Sequence, residues 1–181
     1  ILLGNYENVT TKTAGIMIKA NKSVQFWSRD ANSKETFMTE PETMVANEPH
    51  LMMAGFDADQ NQGIMQFDEK TTTVAWNSPG DINSGQSLII GGGHLARFIG
   101  GDIQELIYVN KHTLTNNEKA AIYHYLAKKW GLTATVDSDG DGFSDADEQS
   151  MGSSPIDATN TPLPDLSDTV DARIGTTSSL D

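Results

Sequence analysis

A chain of 181 residues, 37% of them hydrophobic, is long enough for one domain with a proper core plus an appendage. The formal charge is −13, and eleven of the 25 acidic residues fall in 137–181 against Arg173 alone, so the acidity belongs to the tail. Lysines scattered singly apart from Lys128-Lys129 give nothing basic enough for a nucleic-acid surface, no apolar run approaches a membrane span, and there is no cysteine.

Residues 13–109 read as short strands between polar turns. Ile16, Ile18 and Ala20 alternate with Met17 and Lys19, and after Asn21-Lys22 the alternation resumes with Val24 and Phe26 against Gln25 and Trp27. This pattern predicts a hairpin. A Glu- and Pro-rich loop from Glu40 to Pro49 follows, then an apolar strand from Leu51 to Phe56 and a turn-rich connection from Asp57 to Gly63. Ile64–Phe67 and Thr71–Trp76 form the next pair around Asp68-Glu69-Lys70. Ser87–Ile90 runs into three glycines, and Phe98–Gly101 leads into a β-branched strand, Asp102–Val109. Strands at such intervals predict an all-β, antiparallel two-sheet sandwich. One helix is expected at 115–130. Thr115 and Glu118 have capping-box spacing, Lys128 and Lys129 sit in the last turn, and Gly131 ends it. Its apolar face is read as Ile122, Tyr125, Leu126 and Trp130, laid over a sheet edge.

After an extended stretch, 131–136, comes Asp137-Ser-Asp139-Gly-Asp141-Gly142-Phe143-Ser-Asp145-Ala-Asp-Glu148. Oxygen ligands fall at positions one, three, five, nine and twelve of this loop, position seven offers the Phe143 carbonyl, and Gly142 permits the sharp turn. The spacing predicts a Ca²⁺ site of Asp137, Asp139, Asp141, Phe143, Asp145 and Glu148. Asp145–Met151 has room for one or two helical turns before Gly152, whereas the upstream flank is not helical, so the site is EF-hand-like rather than an EF-hand. A single such loop is expected to bind weakly and to need the calcium supply outside the cell. Its carboxylates repel without a cation, so this junction is expected to hinge when the ion is removed.

The loop and its exit, Gly152-Ser-Ser-Pro155 followed by Asp157 and Pro162, resemble a thrombospondin type 3 calcium repeat of bacterial surface proteins over 137–162. That family often stacks several loops. Here there is one, and Asp157 is the residue placed to reach back to it. The run from Phe98 through Gly-Gly-Asp-Ile-Gln-Glu-Leu-Ile-Tyr-Val109 to Tyr125-Leu-Ala-Lys-Lys-Trp-Gly131 resembles the C-terminal signature of concanavalin A-like, laminin G-like jelly rolls. The resemblance implies a jelly-roll sandwich of roughly a dozen strands, resident in long cell-surface or secreted proteins. It divides the chain into a sandwich with its helix (1–132), a calcium repeat (133–162) and an extended linker (163–181). Few residues precede the first hairpin, so part of the sandwich is expected to be missing, supplied by another chain or rebuilt from the tail. The opening at Ile1 reads as a cut from something longer.

Catalysis is not expected. The chain has no paired-carboxylate spacing of a glucanase strand, no cysteine and no Gly-x-Ser-x-Gly elbow. His50, His94, His112 and His124 lie apart, without metal spacing, and read as surface or packing residues. The function expected is a non-catalytic module of surface architecture, fibre assembly or adhesion, with neighbouring modules or copies of itself as partners. The alternative is a lectin-like role on surface glycans. Trp27 and Trp76 would stack on a sugar beside the Asp57, Asp59 and Asn61 loop, which could also hold a second calcium. Burial separates the two readings, since a stacking platform must be exposed.

Overall fold

The computed structural model describes residues 3–4, 13–29, 35–57, 59–76, 89–92, 100–109 and 114–163. Eight strands and two helices are described: β1 (Leu3–Gly4), β2 (Thr13–Ile18), β3 (Ser23–Arg29), β4 (Glu35–Thr43), β5 (Met52–Asp57), β6 (Gln62–Phe67), β7 (Lys70–Ala75), β8 (Ile89–Ile90), α1 (Asn116–Trp130) and α2 (Asp145–Met151). They build a five-stranded sheet in the order β4-β3-β2-β1-β8 and a three-stranded sheet in the order β5-β6-β7, antiparallel throughout.

The predicted hairpin is β2–β3, with Ile16 opposite Phe26 and Ile18 opposite Val24. Its turn closes through Lys22 N–H to the Lys19 carbonyl (2.8 Å), and Lys22 takes a left-handed backbone. The second predicted pair is β6–β7, which turns at Asp68. The two sheets face each other across one core, where Val24, Phe26, Met38, Met65, Phe67 and Trp76 are buried. Phe26 stacks on Trp76 at 5.2 Å between centroids, and the indole N–H donates to Ser28 Oγ at 2.8 Å. Gly63 on β6 makes room for that ring, because a Cβ there would meet Trp76 Cε3 at 2.4 Å.

Alternation along the three-stranded sheet covers both of its faces. Met52, Ala54 and Phe56 of β5 pack on the inter-sheet core, while Met53 joins a second cluster of Leu51, Tyr123, Ala127, Leu132, Val136 and Leu126. The described residues therefore form three layers: the five-stranded sheet, the three-stranded sheet, and α1 with the segment that follows it.

Three expectations are corrected and one strand is added. The loop at 40–49 is strand as far as Thr43. Pro41 fits there because β4 is an edge strand among the described residues, and its pairing with β3 shifts register at Ser23 and Val24. The N-terminal residues contribute β1, between β2 and β8. Asp102–Val109 is not a strand, since residues 102–109 are irregular and exposed except for half-buried Glu105. A β-branched pattern needs a ladder neighbour to become a strand, and what holds this segment instead is Glu105, which accepts from Trp130 Nε1 and pairs with Lys129, each at 3.0 Å. Finally, α1 buries Ala120, Tyr123 and Ala127, while Tyr125 and Trp130 are 48% and 40% exposed. Small alanines let the helix approach closely, and Tyr123 reaches the Leu51 carbonyl at 2.8 Å. The readings of Ser87, Leu88, Phe98, His94, His112 and the tail from Asp165 lie outside the described residues.

Candidate metal centre

The chain leaves α1 at Gly131 in a left-handed conformation, and the Leu132 amide bonds back to the Ala127 carbonyl at 2.8 Å. No free linker follows, for Leu132 and Val136 are buried against α1. The junction between sandwich and loop is packed in this structure. Two backbone bonds of 2.9 Å, Asp145 to Val136 and Ala146 to Thr133, close the loop at its base. From β6, Gln66 Nε2 donates to the Asp137 carbonyl at 2.6 Å, pinning the first loop position to the sheet.

Inside the loop the backbone wraps around its own carboxylates. Gly140 and Gly142 donate to the two oxygens of Asp137 at 2.7 and 2.8 Å. Both glycines have positive φ, 80° and 101°, which a side chain would strain. The Asp141 amide donates to Asp139 Oδ1 (3.2 Å) and the Phe143 amide to Asp141 Oδ1 (2.9 Å). Asp137, Asp139 and Asp141 each offer an oxygen within 4.8 Å of the others, an arrangement that could hold a metal ion. Glu148, wholly buried, comes from α2, which starts at a Ser144 cap and stops, as the sequence predicts, at Gly152.

Hydrogen bonding leaves one oxygen on each of three of these groups without a partner. Asp139 Oδ2, Asp141 Oδ2 and Glu148 Oε2 are buried and accept nothing. Buried polar atoms are otherwise nearly always satisfied. The electrostatics agree. Burial, then repulsion from Asp139 and Asp141, raises the Glu148 carboxyl to about 7. Burial and Asp141 raise Asp139 to about 6, and burial raises Asp137. Such a cluster holds protons or a cation.

The other candidates are placed differently. The carboxylate of Asp145 is turned to Ser138 and His124, and Phe143 presents a partly exposed ring at position seven. The Asp157 side chain caps Thr159 through its amide and hydroxyl, while the Asp157 backbone lies close enough to the Asp139 carboxylate to lower it slightly against its burial. Trp27 and Trp76 are 3% and 2% exposed, so neither offers a face to a sugar. Asp57 caps the Asp59 and Gln60 amides and lies 3.8 Å from Lys119 Nζ, while Asn61 holds the left-handed turn position. Among the described residues, the Asp137–Asp139–Asp141 group is the one acidic or histidine cluster with metal-site spacing. Spacing alone missed Gln66, Ser138 and His124, whose contacts with the loop depend on the fold.

No family model, curated protein or solved structure matches this chain.

Proposed function

We propose that this chain is a non-catalytic, calcium-binding module of an extracellular or cell-surface protein, serving surface architecture, fibre assembly or adhesion beside other modules or copies of itself. The observation that carries the reading is the trio of buried carboxylate oxygens without partners, on Asp139, Asp141 and Glu148. An all-oxygen donor set without thiolate or imidazole suits a hard cation, and the Asp-x-Asp-x-Asp-Gly spacing with Glu at twelve suits calcium over magnesium. Asp137, Asp139, Asp141, the Phe143 carbonyl and Glu148 are the proposed ligands. The two antiparallel sheets and the helix after them support a jelly-roll-type sandwich carrying a thrombospondin type 3-like loop. Because the loop is packed on the three-stranded sheet, the ion would stiffen the end of the module from which the chain continues.

Thermal melting in calcium, magnesium and EDTA tests this. With a Kd of about 10⁻⁴ M, as in extracellular modules, 10 mM calcium is roughly a hundredfold excess and stabilises by about 2.7 kcal/mol. At this chain length that raises Tm by about 5–10 °C, and equal magnesium does markedly less. Identical melting in calcium and EDTA would remove the proposal.

A further inference from the structure

Asp145 occupies a ligand position of the loop, yet the structure commits its side chain elsewhere. It is wholly buried. Its Oδ1 accepts the Ser138 amide at 2.8 Å, and its Oδ2 accepts Ser138 Oγ at 2.8 Å and His124 Nδ1 at 2.7 Å. The imidazole is the donor there, because a carboxylate can only accept. These are three charge-assisted bonds in a closed environment, and moving the carboxylate onto a cation would break them. Asp139, Asp141 and Glu148 differ, each keeping a buried oxygen with no hydrogen-bond partner from the protein. His124 belongs to α1, beside Tyr123, whose hydroxyl holds the sheet at Leu51. Asp145 is also the first residue of α2, which carries Glu148. One side chain thus joins α1, the second loop residue and the helix that presents the last carboxylate.

We infer that Asp145 is a positioning residue: it clamps the metal loop to α1 through Ser138 and His124, so that seating of the helix sets how tightly the site holds a divalent cation. This rests on the calcium reading above. It assigns to His124 a part in metal affinity without contact with the metal, as partners behind a metal site can have.

The test is calorimetric calcium titration of the full chain, with melting in EDTA, for the wild type and four variants. Glu148→Gln removes a proposed ligand and an unpaired buried charge, so calcium binding is lost while melting in EDTA holds or rises. Asp145→Asn lowers melting in EDTA and weakens calcium binding about 10- to 100-fold, with one ion per chain retained. His124→Ala weakens binding roughly tenfold, near the low end of such effects, and His124→Asn, whose amide can replace the Nδ1 donor, restores most of it. The His124 pair carries the test if Asp145→Asn does not fold. The inference is overturned if Asp145→Asn loses the ion with melting in EDTA unchanged, as a ligand would, or if His124→Ala leaves affinity intact. A wild type that takes up no calcium removes the parent reading, and this one with it.

Discussion

Glu148 and Asp139 put the tension of the acidic loop into two side chains whose carboxyls are raised to about 7 and about 6. Both lie above the ordinary carboxylate range, so the folded chain keeps protons that the unfolded chain releases. Their contribution to stability in EDTA is therefore fully present below about pH 4 and is lost as pH rises through about 7. In EDTA, the melting temperature of the wild type should fall relative to Glu148→Gln across that window, a comparison that cancels the other carboxylates. Equal pH slopes would show that Glu148 is not held in a proton-retaining site. On the proposed reading calcium would replace those protons, so its affinity should rise over the same range. A second residue-scale prediction concerns Gly63. Alanine there would press on the Trp76 ring and should cost about 1–3 kcal/mol in a denaturant melt. The grouping of Asp137, Asp139 and Asp141 was legible because local spacing alone dictates which side chains converge. The setting of Asp145 was not, because it depends on His124, 21 residues away.

At the scale of elements, legibility followed the locality of the signal. Both ends of α1 were readable from Thr115, Glu118 and Gly131, and the structure shows the complete capping box. Thr115→Ala should lower stability by about 1 kcal/mol. Leu126 of the expected face does pack on the second cluster, but Tyr125 and Trp130 were misread because at helical spacing they outweigh Ala120 and Ala127 in any count of apolar residues. Packing instead selects the face that approaches closest and satisfies the Tyr123 hydroxyl, which burial keeps protonated well above its usual range. Tyr123→Phe should cost about 1 kcal/mol in a denaturant melt, the worth of a single hydrogen bond. A larger loss would show that the hydroxyl does more than hold Leu51. Hairpins β2–β3 and β6–β7 were legible because each carries its partner next to it in sequence. Residues 102–109 show the opposite case: an equally strand-like pattern lies beside α1, held by Glu105 to Trp130 and Lys129.

At the scale of the whole molecule, among the described residues, the three-stranded sheet is the shared wall between the inter-sheet core and the candidate metal loop. Gln66 shows this best. It lies between Met65 and Phe67, which face the inter-sheet core, and its own side chain holds the Asp137 carbonyl. Chelation should therefore speed amide exchange at Gly140, Gly142 and Phe143, whose N–H groups donate to loop carboxylates, and leave β3 and β6 protected. That the loop packs on the sheet, rather than hanging from it, could not be read from sequence, since Gln66 lies 71 residues upstream of Asp137. The most direct test of the metal assignment is a crystal structure grown in millimolar calcium. A single ion about 2.3–2.6 Å from oxygens of Asp139, Asp141 and Glu148, with Asp145 still bonded to His124, is the result predicted. An ordered loop without an ion, its three carboxylate oxygens satisfied by water or protein donors, would contradict it.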